Sequence, residues 1–307
     1  MTAQTETASL FARLKVGDAV TLFGADLVPL FWRGGAPVTD ALLLEEALAD
    51  GQTVVTEVSE GGVVGQVRVL HRGQLPLLVV QGEQILGAKQ NRTFNASFVV
   101  APGQEVTLPV SCVEQGRWQH RTAAFQAGAT TISPKLRSRM LGSVSQSIRV
   151  SGVYDANQRE VWSGVQEHLA ATGTHSLTAS YEDARQSRAA EVEQTVARVA
   201  PHPEQTGLAV VQGGRVVVLD VFGSPQLFAR AFKKCLRGAL SEVGGTPQPG
   251  REPAPELVKR TLAALAQAEV ARARSPGSGE TWSGQSASGA YTAAIYEGAV
   301  YHCAAAG

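Results

Sequence analysis

Two stretches bring together residue types that do chemistry. In Glu83–Arg92, "EQILGAKQNR", an apolar strand pattern runs into Lys89, Gln90, Asn91 and Arg92, two cations flanking two carboxamides. In Ser111–Trp118, "SCVEQGRW", Cys112, Glu114, Arg117 and Trp118 follow closely on one another. Lys89 and Arg92 would neutralise a phosphate, Gln90 and Asn91 would donate and accept hydrogen bonds, and Arg117 beside Trp118 would clamp a flat anionic ligand by forking and stacking. Glu114 or Glu83 would be the general base. Cys112 is a nucleophile only if His120 folds back to it, and a cysteine in an apolar strand is more often an inert core residue. Alternate side chains of an extended segment share a face, so Lys89 and Asn91 point one way, Gln90 and Arg92 the other, and Cys112 shares a face with Glu114. If the two segments are sheet neighbours, Lys89, Asn91, Cys112 and Glu114 converge, with Arg117 and Trp118 at the rim. The competing reading is a solvated turn in which Lys89 and Arg92 pair with Glu83 and Glu114, each exposed pair contributing roughly 0–1 kcal/mol.

Other chemistry has thinner support. "SPKLRSRM" opens a helix and places Lys135, Arg137 and Arg139 near free backbone N–H groups, which favour anions, or else forms a basic solvated face. His71, His120, His168, His175, His202 and His302 are scattered, without HxH or HExxH, so no metal site is expected. No GxxxxGK[ST] appears and no GxGxxG precedes a helix, so no cofactor can be named. Cys112, Cys235 and Cys303 are odd in number and far apart, against a disulfide framework. The 27 basic and 27 acidic residues give no net charge, against nucleic-acid binding through a basic field. No secretory signal and no apolar run of ~20 residues is present, so the expectation is a cytoplasmic protein without a membrane segment. A second copy of the chain is a candidate partner.

The elements that must position these residues read as an α+β fold. The β-rich N-terminal half, mostly antiparallel, comprises short strands from "DAVTLFGADLVPLFW", turning around Asp26, to "EVTLPVSCVE", interrupted by one helix over "ALLLEEALADG" that Thr39 and Asp40 can cap. Helices concentrate after Ser133. "SPKLRSRMLGSVSQSI" spaces Leu136, Met140, Val144 and Ile148 by four. "DANQREVWSGVQEHLAATG" has Asp155 as cap, Gln158 three later and Gly173 as stop. "SYEDARQSRAAEVEQTVARVAP" predicts one mostly solvated helix. "SPQLFARAFKKCLRGALSEVGG" has a wide apolar face reaching Val243, with Ser224 and Pro225 at its start and Gly244–Gly245 at its end. "APELVKRTLAALAQAEVARAR" predicts a further helix. "TGLAVVQGGRVVVLDVFG" and the terminal "GAYTAAIYEGAVYHCAAAG" read as hairpins that can join one sheet. "LLVVQGEQILGA" resembles them, as a faint repeat or as a hairpin under composition bias. Residues 1–307 are expected to form a single domain, divisible into a β-rich 1–132 and a helix-rich 133–307.

"GEQILGAKQNR" and "PVSCVEQGRW" are long and unusual. Over Val54–Arg121, and more weakly through most of the chain, the sequence resembles the family named for association with ADP-ribosylglycohydrolase and rhodanese-phosphatase domains, a domain of unknown function. The resemblance carries no catalytic mechanism. It implies association with enzymes that process ADP-ribose or its phosphorylated derivatives, and it points to Glu83, Gly87, Lys89, Gln90, Asn91, Arg92, Cys112, Glu114, Arg117 and Trp118. The functional expectation is a protein that binds, and acts on if it is an enzyme, a small anionic nucleotide-derived ligand. The alternative is a non-enzymatic scaffold or interaction protein whose polar motif is a structural hydrogen-bond network.

Overall fold

Short apolar strands with Gly, Pro or polar clusters between them dominate the first third of the chain, and they pair as such in the computed structural model, which describes residues 10–33, 40–242 and 252–307. The elements are β1 (Leu14–Val16), β2 (Val20–Leu22), β3 (Ala25–Trp32), β4 (Leu42–Leu43), α1 (Leu44–Ala49), β5 (Thr53–Glu57), β6 (Gln66–His71), β7 (Leu77–Val79), β8 (Glu83–Gly87), β9 (Arg92–Phe94), β10 (Phe98–Val100), β11 (Glu105–Cys112) and β12 (Phe125–Thr131). There follow α2 (Pro134–Ser151), α3 (Gln158–Ala171), α4 (Tyr181–Ser187), α5 (Ala189–Val196), β13 (Gly207–Gln212), β14 (Arg215–Phe222), α6 (Pro225–Ala239) and α7 (Ala254–Ala266). The last strands are β15 (Glu269–Arg274), β16 (Glu280–Ser286), β17 (Gly289–Tyr296) and β18 (Ala299–Ala306). Helices thus lie mostly in the C-terminal half and the chain closes on a strand hairpin, an α+β arrangement. Among the described residues no helix is long and apolar enough to cross a membrane.

Three sheets form. A nine-stranded sheet runs β1-β3-β13-β14-β18-β17-β16-β15, with β2 also on β3. A six-stranded sheet runs β12-β8-β9-β11-β6-β5, and a three-stranded one β10-β7-β4. Pairing is antiparallel except between β4 and β7. The β13–β14 and β17–β18 hairpins join through β14 and β18, as the sequence predicts. The third look-alike differs, because β7 and β8 belong to different sheets.

Alternation along the strands assigns the cores. Leu208 and Val210 face α6 through Leu227, Phe228 and Phe232, while Ala209 and Val211 face α7 through Leu257, Val258 and Leu262. A sheet covered on both faces is apolar at consecutive positions, which is why β13 and β14 read as unbroken runs. Helix α2 lies between sheets. Its Leu136, Met140, Val144 and Ile148 pack with Phe94 and Phe98, and Leu141 meets Ala304 and Ala306 of β18.

Several boundaries differ from expectation. The turn between β2 and β3 falls at Phe23–Gly24, not around Asp26, because Gly24 tolerates its φ of 78°. The helix expected from Asp40 begins only at Leu44; Asp40 accepts from the N–H of Ala41 instead, and Thr39 lies outside the described residues. Helix α3 is preceded by Asn157, not capped by Asp155. The helix expected from Ser180 onward breaks at Arg188 into α4 and α5, and α4 buries Tyr181, Glu182 and Ala184. "EVARAR" leaves the predicted helix and pairs with β16, since alternating Val, Ala and Arg suit a half-covered edge strand. Val243 and Gly244–Gly245 lie outside the described residues.

One buried interaction joins these layers. Arg137 of α2 donates from both terminal nitrogens to Asp220 of β14, at 2.7 and 2.5 Å, and from Nε to Gln81 Oε1 at 2.8 Å. Burial alone would favour the neutral carboxyl, but Arg137's charge and hydrogen bonds hold Asp220 well below the usual carboxylate range. Arg137→Met would leave that carboxylate buried and unpaired, so urea unfolding should show a loss of about 3–5 kcal/mol. Arg137→Met/Asp220→Leu should recover most of it. A loss under about 1 kcal/mol in the single variant would refute the central role of this pair.

Candidate functional site

The two polar stretches do meet. Strand β9 lies between β8 and β11, with Arg92 opposite Ile85 on one side and Cys112 on the other. Gly87 and Ala88 turn the chain out of β8, with φ of 110° and 38°, so Lys89–Asn91 form a tight turn rather than an extended segment. Two-sided alternation therefore fails here. Gln90, Asn91 and Arg92 all point inward, and only Lys89 is partly exposed.

The inward groups pair with one another, leaving Arg92 Nε and Arg117 Nε without a hydrogen-bond partner among the described residues. Arg92 is 0% exposed. Its Nη1 donates to the carbonyls of Val63, Val64 and Gln66 at 2.6, 3.1 and 2.9 Å, and its Nη2 to Glu57 Oε2 at 2.8 Å. Gln90 donates to the Glu114 carbonyl at 2.9 Å and accepts from Cys112 Sγ at 2.7 Å. Asn91 Oδ1 accepts from the N–H of Gly87 and from Arg117. Glu114 Oε2 accepts from Arg117 at 2.6 Å and from the N–H of Asn91 at 3.1 Å, while Thr178 donates to Oε1 at 3.0 Å. Arg117 also donates to the carbonyls of Ala88, Gln119 and Gly87, so it lies inside the network and not at the rim. The carboxamide of Gln158 accepts from the N–H of Cys112 and donates to its carbonyl, like an added strand residue. Lys89 Nζ reaches the carbonyl of Gly61 and sits 5.4 Å from the ring centroid of Trp118, which is 42% exposed.

The electrostatics follow from enclosure. Burial would raise the Glu114 pKa, but hydrogen bonds from Arg117 and the Asn91 N–H outweigh it and lower the value. Burial pushes the Cys112 thiol up to about 11, so almost no thiolate exists at neutral pH. His120 is exposed, and the partner of Cys112 is Gln90. Glu57, Thr178 and Gln158 were not among the sequence candidates. Glu57 was legible, because period two along "TVVTE" puts it on the same buried face as Thr53 and Val55.

Glu83 goes elsewhere. Its Oε1 accepts from Lys234 Nζ at 2.6 Å, and its Oε2 from the N–H of Val80. Lys234 also reaches Glu45 at 3.0 Å. Burial works against the Lys234 charge, but Glu83 and Glu45 together raise its pKa. This pair floors a cleft of about 460 Å³ beside α6, where Arg230, Lys233, Lys234 and Arg237 line one side. The signal for them was present in "RAFKKCLR", which spaces basic residues at i, i+3, i+4 and i+7, on one helical face.

A third constellation has the chemistry of a catalytic triad without its access. Ser97 Oγ lies 2.7 Å from His302 Nδ1, and His302 Nε2 lies 3.2 Å from Asp220 Oδ1. All three are buried, and Ser97 accepts from the N–H of Gln81. Burial lowers the His302 pKa. Among the described residues no group of three His, Cys, Asp or Glu side chains could hold a metal ion.

Two outcomes test this geometry. Arg92→Ala strips donors from three carbonyls and removes the ion-pair partner of Glu57, so it should lower unfolding stability by about 3–5 kcal/mol, whereas Trp118→Ala should change it by less than about 1. Because the folded pKa of Glu114 lies below its unfolded value, its contribution is present above about pH 5 and is lost as pH falls. The stability gap between wild type and Glu114→Gln should therefore be widest at neutral pH and narrow toward pH 3; a pH-independent gap would contradict the charge-assisted bonds.

Comparison with curated proteins and with solved structures finds no match. The profile of the ARG and Rhodanese-Phosphatase-superfamily-associated Protein domain matches residues 13–306. With both motifs folded into one network and nearly the whole chain matched, this protein belongs to the ARG and Rhodanese-Phosphatase-superfamily-associated Protein family.

Proposed function

We propose that the protein binds a small anionic, phosphate-bearing ligand of the ADP-ribose kind, and that this ligand enters the cleft beside α6 rather than the motif turn. The observation that carries this reading is the placement of Lys234, buried between Glu83 and the half-exposed Glu45, at the floor of a cleft of about 460 Å³ rimmed by Arg230, Lys233 and Arg237. Such a volume suits a small organic ligand. The carboxylates now opposite the rim cations, Asp40, Glu46 and Glu193, are a third to half exposed, as is Glu45. Exposed pairs of this kind contribute roughly 0–1 kcal/mol, so a ligand phosphate exchanges with them at little cost. Glu83 stays in place as the buried counter-charge of Lys234. The family's association with ADP-ribose-processing enzymes supports the ligand class, and zero net charge supports a small ligand over a nucleic acid. Three free, buried thiols fit a reducing cytoplasm. In this reading Lys89 to Arg92 and Glu114 hold the strand that delivers Glu83, and no chemical step is assigned.

A second reading, a scaffold that binds another protein, is favoured by the closed network around Arg92 and Glu114. Isothermal titration with ADP-ribose and its phosphorylated forms separates the two. Binding to the wild type that Lys233→Ala/Arg237→Ala weakens at least tenfold, with the ligand-free melting temperature held, supports the cleft. Absence of binding in a folded protein, or binding that the double variant retains in full, overturns it.

A further inference from the structure

The basic helix start "SPKLRSRM" divides its charges. Arg137 turns inward to Asp220, while Lys135 and Arg139 turn outward to Glu167, the latter as a fork with two 2.7 Å bonds. At the first turn of α2 the carboxylate of Glu242 accepts from Ser133 Oγ and, at 3.2 Å, from the N–H of Lys135. An anion therefore already occupies this helix start, supplied from a distant part of the chain. Around it lies a cavity of about 220 Å³, bounded by Lys135, Arg139, Glu167, His168, Gln212 and Glu242.

A second, independent observation is His168. It is 2% exposed, it stacks on Tyr181 at 4.6 Å, and neither ring nitrogen has a hydrogen-bond partner. Buried polar side chains rarely go unpaired. Its Nδ1 points to Glu242 Oε1 but stops at 3.7 Å. A planar carboxylate satisfies Ser133 and Lys135 and leaves the imidazole out of reach. A tetrahedral oxyanion has further oxygens to offer. The donors in and beside the cavity are of several kinds: a hydroxyl, a backbone N–H, a guanidinium fork, an ammonium group and an imidazole. That set matches phosphate better than carboxylate. The volume decides the size, since about 220 Å³ falls short of a whole nucleotide and suffices for a phosphate group.

We propose that this cavity is a phosphate-binding site, distinct from the α6 cleft, in which Glu242 is a built-in competitor that swings aside when a phosphate or phosphomonoester seats on Ser133, the Lys135 N–H, Arg139 and His168. Burial raises the Glu242 pKa, so its carboxylate is held at this helix start against a desolvation cost. Glu167, half-exposed, releases the Arg139 fork in the same exchange.

A competitor has a signature that an ordinary surface site lacks, since removing it strengthens binding. Inorganic phosphate and glycerol phosphate are titrated calorimetrically into the whole chain, as wild type, Glu242→Ala, Glu242→Ala/Arg139→Ala, and Lys233→Ala/Arg237→Ala with and without Glu242→Ala. The expected result is at least tenfold tighter phosphate binding in Glu242→Ala, loss of that gain when Arg139→Ala is added, and the same gain when Glu242→Ala is introduced into Lys233→Ala/Arg237→Ala. Tighter binding of glycerol phosphate than of inorganic phosphate assigns a phosphorylated metabolite; the reverse order assigns free phosphate. If Glu242→Ala fails to fold, Glu242→Gln carries the same comparison. Equal phosphate affinity in wild type and the Glu242 variant, or no binding by either at millimolar phosphate, overturns the proposal. Failure of the α6 cleft to bind ADP-ribose leaves this result untouched.

Discussion

The buried guanidinium of Arg137 is the constraint on which the rest of the structure depends. A charge taken out of water is tolerated only where its partners are already in place, because the penalty per unpaired ion is several kcal/mol. Asp220 supplies the countercharge, Gln81 takes the third donor, and His302 and Ser97 complete the chain of contacts around them. These residues come from α2, β14, β18 and the segments flanking β8 and β10. This cluster therefore ties α2 to the nine-stranded sheet and to the segment leading into β8. It also explains a motif residue. Gly82 has φ of 81°, and a Cβ there would meet the Arg137 side chain at 2.9 Å, so the glycine before "EQILGAKQNR" clears the path of the arginine.

Much of the architecture was legible because local patterns sufficed. Antiparallel strands, the helix-rich second half, the start of α2 at Ser133–Pro134 and the cap of α6 by Ser224 all follow from short-range chemistry. What failed was local pattern overruled by distant partners. "EVARAR" has helix-compatible residues, but the unpaired edge of β16 claims it as a strand. "AKQNR" reads as extended, but the positive φ of Gly87 and Ala88 folds it into a turn whose polar groups face inward. For the site, the sequence left open whether the two motifs are neighbours, and it is the pairing of β9 with β11 that brings them together. It could not supply Glu57 as the partner of Arg92 or Lys234 as the partner of Glu83, since an ion pair leaves no trace in spacing when its members are far apart in the chain.

Residue chemistry and residue access separate in this protein. Cys112, Glu114 and Arg117, or Ser97, His302 and Asp220, have the composition of reactive sites. In both sets each polar atom is engaged by a neighbour or sealed from solvent. The groups that retain access are plainer: a row of cations on α6, and a lysine and an arginine held by the half-exposed Glu167 at the start of α2. Enclosure, more than identity, sorts structural polarity from polarity open to a ligand.

The position of β18 has a consequence for how the molecule assembles. It lies between β14 and β17 in the middle of the nine-stranded sheet, yet α6, α7 and three strands separate it in sequence from β14. Until β18 arrives, β14 presents the apolar run "VVVLDVF" along an open edge, with Asp220 facing a layer not yet closed. An edge of that kind is a template for pairing with other chains. Such long-range closure slows folding, so the same central strand that locks the finished sheet prolongs the interval in which the chain is most prone to aggregate.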